Sequence, residues 1–211
     1  MMKKIVCVLL CVVMMVLLVA CGNTKETEYV LDRNIGKTAN GVEFSRMVTI
    51  NGYEFTLPCD VEEFLTGTGF LFTDESYEMY EKIKEGKNVV SDELLACGYY
   101  DEETGKEDWH YLVLKKNGKD DIDIVCISTV FQNDAGEYTE FGTEYKGLGI
   151  NFSNGNFYDI DENVRNEMEA GLEEASGMTK FLSSAYDDKF AFYILADEVT
   201  GKILGVSIVV T

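Results

Sequence analysis

The only histidine, His110, limits the nucleophilic chemistry that the chain could perform. A Ser-His-Asp or Cys-His site needs a histidine to take the proton from its nucleophile, so any such site would have to use this residue. His110 lies between Trp109 and Tyr111. On a strand its side chain shares a face with Leu112 and Leu114, whereas its two neighbours point the other way. The pattern therefore predicts a structural histidine and no catalytic residue.

Acidic residues are densest in two runs, Asp120-Asp121-Ile122-Asp123 and Asp159-Ile160-Asp161-Glu162. Calcium prefers clustered oxygen ligands, but neither run has the D-x-[DN]-x-[DN]-G spacing that wraps one ion. Two carboxylates could instead serve a glycosidase-type hydrolase, whose acids must face each other in space. No G-x-S-x-G, H-E-x-x-H or glycine-rich phosphate loop is present. We expect no metal site and no cofactor, and a hydrolase remains an alternative.

Three cysteines follow position 21, at Cys59, Cys97 and Cys126. Their spacing does not match the paired CxxC ligands of a zinc site. We expect them to be mostly buried small hydrophobic residues, with one disulfide possible among them.

The N-terminus has the order of a secretory signal, because Lys3 and Lys4 precede an apolar run from Ile5 to Ala20. As a helix this run would span roughly 24 Å, short of the ~30 Å hydrocarbon core of a bilayer. It ends in Leu18-Val19-Ala20-Cys21, which resembles the lipobox of lipoproteins from Gram-positive bacteria. The resemblance implies that residues 1–20 are a signal peptide and that Cys21 carries the lipid. The mature chain would then be anchored to the extracytoplasmic face of the cell membrane.

The charge of the chain excludes one large class of partner. The full sequence has 18 basic and 38 acidic residues, and a signal peptide ending at residue 20 would remove two of the lysines. Nucleic-acid binding is therefore excluded as a function. So acidic a surface favours cationic partners, or it serves solubility alone.

We expect three segments: the signal peptide, a flexible polar tether over residues 21–42, and one extracytoplasmic α+β domain over residues 43–211. The domain is predicted to consist of antiparallel sheets with short packed helices. Its two possible halves, residues 43–131 and 132–211, each read as strand, Asp-capped helix, glycine break and antiparallel strands.

The first half opens with the clearest hairpin signal, Asn51-Gly52 between Arg46–Ile50 and Tyr53–Leu57. Two helices are predicted next. The first is capped by Asp60 and ends at Phe64 or Leu65, before glycines at positions 67 and 69. The second spans Glu75–Glu85, with Tyr77, Tyr80 and Ile83 or Lys84 at helical spacing. An antiparallel meander of three strands follows, over Leu94–Tyr100, Trp109–Lys115 and Ile122–Phe131.

The second half is predicted to contain a strand at Leu148–Phe152 and a helix from its Asp161 cap to about Glu174. The stripe of that helix is Val164, Met168 and Leu172. A hairpin of Phe190–Ala196 and Ile203–Val210 closes the chain. The layout of Gly149-Ile150, the Asp161 helix and the closing hairpin is similar to β-lactamase-inhibitor-like tandem-repeat lipoproteins. The likeness covers about 60 residues and implies a fold only, and Ser176-Gly177-Met178 departs from the Gly-x-Pro turn of that pattern.

Six aromatic residues lie between positions 138 and 158, namely Tyr138, Phe141, Tyr145, Phe152, Phe157 and Tyr158. On exposed loops they would suit sugar or peptide binding, whereas alternation in a sheet would bury them, which we expect. Our hypothesis is a non-enzymatic binding or interaction module. It would be held to the membrane at Cys21 and would bind an extracellular protein, peptide or glycan. The alternatives are a cell-envelope hydrolase and a cation-dependent adhesion or inhibitor domain.

Overall fold

The protein is an α+β fold of antiparallel sheets and short helices in a computed structural model. The structure describes residues 34–86, 90–91, 93–101, 106–118, 121–131, 142–169, 173–174, 180–187 and 189–210. The predicted signal peptide and Cys21 lie outside these residues.

The elements follow one another closely along the chain. The strands are β1 Ile35–Lys37, β2 Glu43–Ser45, β3 Val48–Ile50, β4 Tyr53–Phe55, β5 Cys59–Asp60, β6 Leu71–Phe72, β7 Leu95–Asp101, β8 Lys106–Asn117, β9 Asp121–Val130, β10 Tyr145–Gly147, β11 Ile150–Asn151, β12 Glu173–Glu174, β13 Lys180–Asp187, β14 Phe190–Asp197 and β15 Ile203–Val210. The helices are α1 Val61–Thr68, α2 Asp74–Glu85 and α3 Glu162–Glu169, with a 3-10 turn at Phe157–Asp159.

A nine-stranded antiparallel sheet dominates the molecule, in the order β12-β13-β14-β15-β9-β8-β7-β6, with β5 also paired to β9. The predicted meander of β7, β8 and β9 and the closing hairpin of β14 and β15 are both confirmed, and they are adjacent in this sheet. Strand β13 was not predicted from the sequence. It extends the closing hairpin by one strand.

The described strand pairs do not show two separate halves. Strand β10, from the second predicted half, pairs with β3 from the first, in a four-stranded sheet of order β11-β10-β3-β4. Strand β15 likewise pairs with β9 across the predicted boundary. A third sheet consists of β1 and β2, and β1 lies inside the segment predicted as tether.

The predicted first hairpin is confirmed. Strands β3 and β4 pair with Ile50 opposite Tyr53, and the turn residues Asn51 and Gly52 both have positive φ, 49° and 80°. Two successive positive φ values give the turn whose twist matches paired strands, and Asn-Gly adopts it at low cost.

Helix α1 begins where predicted but ends later. The Asp60 side chain accepts a hydrogen bond from the Glu63 N–H at 2.9 Å, as an N-cap does. The helix continues past Leu65 and through Gly67 to Thr68, so the predicted end was wrong. A Cβ at Gly67 would collide with the Tyr53 ring, so this glycine serves close packing, and Gly69 in the left-handed region ends the helix.

Helix α2 confirms its prediction, with Thr73 as the N-cap and Gly86 at the C-terminal end. Its buried face is Ser76, Tyr80 and Ile83, whereas Tyr77 and Lys84, which the spacing grouped with them, are exposed.

Two boundaries of the second half were wrong. Leu148 has φ 52° and lies in the turn between β10 and β11, so the strand predicted from Leu148 begins only at Ile150. The Asp161 cap and the buried Val164 and Met168 are confirmed, but Glu173–Glu174 pair as strand β12. The helix therefore does not reach Glu174, and Leu172 lies outside the described residues.

The two faces of the nine-stranded sheet differ in what packs on them. Leu112, Ile127 and Phe192 lie on the inner face, in the main core with residues of all three helices and of the four-stranded sheet. Val113, Cys126 and Val209 lie on the outer face, in a small cluster drawn from strands of the same sheet and from Leu94. Helices α1, α2 and α3 therefore all pack on the inner face of the nine-stranded sheet.

Candidate interaction surface

His110 is placed as the sequence predicted, on the inner face and fully buried. Its Nδ1 lies 2.7 Å from the Thr129 hydroxyl, and its ring stacks on Phe70 at 5.0 Å between centroids. Tyr145 meets the same ring edge-on at 5.6 Å. Burial lowers the pKa of His110 to about 3, because the protonated imidazole would lose its hydration. The histidine is thus neutral at physiological pH and shielded from any external substrate.

The neighbouring Asp108 is a structural carboxylate. It is buried and accepts hydrogen bonds from the backbone N–H groups of Gly142 (3.0 Å) and Thr143 (2.6 Å). These contacts fix the chain that leads into β10, and β10 carries Tyr145 onto the histidine. Charge-assisted hydrogen bonds of this kind stabilise a buried carboxylate in place of water.

The cysteines with described positions are all free thiols. Cys97 faces the main core and Cys126 the outer cluster, so the sheet separates the two buried thiols. Cys59 is half-buried, and desolvation, together with Asp123 and Asp60, raises its pKa to about 12. Burial raises the pKa of Cys97 and Cys126 as well, which makes all three poor nucleophiles at neutral pH.

The two acidic runs do not converge on a site within the described residues. Asp159, Asp161 and Glu162 are exposed, and Asp161 caps α3 by accepting from Asn163 N and Val164 N. In the other run, Asp121 is exposed and Asp123 opposes Lys115 across the strand pair. Across the part of the chain that the structure describes, no group of three or more His, Cys, Asp or Glu residues could hold a metal ion.

The aromatic residues of the 138–158 stretch are mostly core residues. Tyr145, Phe152 and Phe157 are fully buried, and Tyr145 and Phe152 meet edge-to-face at 5.3 Å. Tyr158 is exposed, while Tyr138 and Phe141 lie outside the described residues. The expected burial is therefore confirmed for three of the four aromatic residues that can be placed.

A different part of the molecule exposes apolar and aromatic side chains, and we call it the open edge. It consists of β6 with the flanking residues Tyr77 and Tyr99. Leu71 is 75% exposed, Tyr77 55% and Tyr99 48%. Strand pairing places Leu71 opposite Gly98, and Tyr99 is the residue after Gly98. Tyr77 is tied to the end of β6, because its N–H donates to the C=O of Thr73, the residue that follows the strand. By the strand register Leu71 lies on the outer face of the sheet and Tyr99 on the inner face, where α2 with Tyr77 also packs. We take this end of the sheet as the candidate interaction surface.

Acidic side chains of α2 border the open edge from the inner face of the sheet. Residues 60–81 include no lysine or arginine and seven acids, which are Asp60, Glu62, Glu63, Asp74, Glu75, Glu78 and Glu81. Asp74, Glu75 and Glu78 are exposed in the first turns of α2, and Asp74 and Glu81, three and four residues from Tyr77, lie on the same side of the helix as Tyr77. Lys82 and Lys84 follow in the last turn of α2, and Lys84 pairs with Glu62 and Glu81, so the net negative charge is concentrated in the first turns of the helix.

The open edge was not predicted from the sequence. The local signal was present: Phe70-Leu71-Phe72 is a short apolar run between two helix caps, which indicates a strand. Which of its side chains is exposed depends on the sheet order, and that order is not a local property.

The chain is thus an α+β protein in which a single buried histidine is packed among aromatic residues, and in which one end of the main sheet is exposed beside acidic side chains. No protein-family model, curated protein or solved structure matches it. None of the helices in the described ranges is long and apolar enough to span a membrane.

Proposed function

We propose that this chain is a lipid-anchored, extracytoplasmic interaction module without enzymatic activity. Cys21 would be its anchor and the open edge its binding surface. The observation that carries the anchor is the Leu18-Val19-Ala20-Cys21 sequence directly after an apolar run. The observation that supports binding is the exposure of Leu71 and Tyr77 beside the exposed acids in the first turns of α2.

The chemistry of the anchor accounts for the residue types. A thioether to diacylglycerol needs a thiol, and a small residue such as Ala20 leaves room at the scissile bond. Two acyl chains hold a protein stably on a bilayer where one chain binds only marginally, at about 0.8 kcal/mol per buried CH₂. Strand β1 begins at Ile35, so the described fold starts close to this anchor in sequence.

Two observations favour binding over catalysis. The neutral, buried His110 cannot take a proton from a nucleophile at the surface. The thiols have raised pKa values, and the buried carboxylate Asp108 is occupied by backbone N–H groups. No contact in the described residues favours the hydrolase or the cation-dependent alternative.

The anchor is tested by labelling expressing cells with a clickable fatty acid and recovering the chain from their membranes. We expect label in the wild type and in the matched variant Cys59→Ser, and none in Cys21→Ser. A membrane-impermeant amine reagent applied to intact cells should modify the wild-type chain. An unlabelled wild type, or a labelled Cys21→Ser variant, would show the proposal to be wrong.

A further inference from the structure

Strand β6 ends the nine-stranded sheet and pairs with a strand on one side only. Its partner is β7, with Leu71 opposite Gly98 and Phe72 opposite Cys97. The Thr73 N–H donates to Ala96 O at 3.1 Å, and antiparallel pairing alternates along the strand. The backbone of Leu71 therefore faces β7, and the N–H and C=O of Phe72 face away from the sheet. Among the described residues no group pairs with that side.

The side chains of β6 do not protect this edge in the usual way. Natural edge strands are often very short, as β6 is with its two residues, or carry lysine, proline or an inward-pointing charge, and each of these features discourages the addition of another strand. Strand β6 instead presents the exposed Leu71 on the outer face of the sheet. Next to it Gly98 has no side chain, and the Trp109 ring packs so close that a Cβ at Gly98 would lie 2.9 Å from it. Leu71, Gly98 and Trp109 thus form a continuous apolar strip.

The charges lie on the other face of the same edge. Tyr80 and Ile83 of α2 pack in the main core on the inner face, so the exposed acids of its first turns border β6 from that side. An added strand would alternate its side chains between the apolar strip and these acids, because successive strand residues point to opposite faces.

We propose that the free side of β6 binds an extended, basic peptide segment of a partner protein as an added antiparallel strand. The segment would alternate apolar residues, placed beside Leu71, with lysine or arginine, placed beside Asp74 and Glu78. Its backbone would pair with the N–H and C=O of Phe72, as in recognition by strand addition. The inference rests on the proposed function as an interaction module and specifies the chemistry of the partner.

The probe is a capped synthetic peptide in which lysine and valine alternate, titrated into the full-length chain purified in mild detergent. Two matched peptides accompany it: one with glutamate in place of lysine, and one with alternate backbone nitrogens methylated. We expect saturable binding of the lysine peptide that weakens as salt is raised, because the attraction is screened. The glutamate and N-methylated peptides should each bind at least about tenfold more weakly.

Single substitutions locate the site. Leu71→Ala removes the apolar contact and Glu78→Lys reverses a charge, and each should weaken lysine-peptide binding by about tenfold. The controls Val199→Ala and Glu198→Lys change an equally exposed apolar residue and an exposed acid on the β14–β15 turn, and they should leave binding unchanged. Circular dichroism of each variant verifies that it is folded, since all four positions are exposed.

Several results would overturn the inference. Absence of lysine-peptide binding, equal binding of the N-methylated peptide, or equal loss in the β14–β15 controls would each contradict strand addition at β6. A chain that self-associates in sedimentation and becomes monomeric as Leu71→Asp would show that a second copy occupies the edge. Each of these results is independent of fatty-acid labelling at Cys21, so failure of the peptide inference is distinguishable from failure of the proposed function.

Discussion

Phe70 and Leu71 are adjacent in sequence, yet the fold uses them in opposite ways. Phe70 is 1% exposed and stacks on His110, whereas Leu71 is 75% exposed at the end of the sheet. Both are large apolar residues: Phe70 directly precedes β6, and Leu71 is the first of its two residues. Alternation turns one toward the helices and the other toward the uncovered side. The comparison teaches that the sheet face, and the element packed on it, decides whether an apolar residue here builds the core or remains available for contact.

The same contrast holds for the polar groups of the two regions. In the core, His110 is held by Thr129, and Asp108 by two backbone N–H groups. At the open edge the charges belong to exposed side chains in the first turns of α2. The polar groups of the first region are satisfied inside the core, whereas those of the second are exposed to solvent.

The largest expected effect is a difference in the free energy of unfolding between alanine variants of Phe70 and Leu71. Phe70→Ala should lower the free energy of unfolding by about 3–5 kcal/mol, because it empties a fully packed site. Leu71→Ala should change it by less than about 0.5 kcal/mol, as exposed substitutions do. Urea denaturation of both variants checks the difference. Equal destabilisation would mean that Leu71 is a core residue.

Gly98 connects the two regions, since it lies opposite Leu71 in β6 and opposite Trp109 in β8. A Cβ at this position would collide with the backbone oxygen of Asp108. We therefore expect Gly98→Ala to destabilise the protein by about 1–3 kcal/mol, the typical cost of overpacking. Thermal unfolding measures this. A stability equal to that of the wild type would show that β7 and β8 can separate without cost.

The neutral histidine predicts a pH dependence confined to the core. His110 has a folded-state pKa of about 3, below its unfolded value of about 6.5, so the unfolded state binds more protons between these values. Its contribution to stability is present above about pH 6.5 and is lost as the pH falls toward 3.

Between pH 7 and pH 5 the wild type should therefore lose about 2 kcal/mol more stability than His110→Gln, which does not titrate. Denaturant unfolding at the two pH values gives the comparison, and the shared acidic residues cancel in the difference. Parallel pH profiles for the two proteins would contradict a buried, neutral His110.

The smallest effect concerns two tyrosines of α2. The Tyr80 hydroxyl donates to a Glu62 carboxylate oxygen at 2.8 Å, and this bond, followed by Lys84, lowers the pKa of Glu62. Tyr80→Phe should cost at most about 1 kcal/mol and raise the pKa of the Glu62 carboxyl in an NMR titration. Tyr77→Phe, at the exposed neighbouring position, should change neither quantity. A Glu62 titration that is unaffected by Tyr80→Phe would contradict the contact.

The sequence predicted those elements whose signals are local. The Asn51-Gly52 turn, the Asp60 and Asp161 caps and the strand that carries His110 follow from the residues beside them. The features that were not predicted depend on residues distant in sequence. Gly67 lies inside α1, where the Tyr53 ring leaves no room for a Cβ, and β10 pairs with β3 across almost a hundred residues. The open edge could not be predicted for the same reason, because the last strand of a sheet is defined by what does not pair with it.

Amide hydrogen exchange, followed residue by residue by NMR with and without the lysine–valine peptide, tests the central claim most directly. We expect slower exchange at the Phe72 amide and shifted signals for Leu71 and Tyr77. Signals of His110 and its core neighbours should remain unchanged. Protection at the β14–β15 turn with no change at Phe72 would contradict the claim that the open edge, and not another surface of the molecule, contacts the partner.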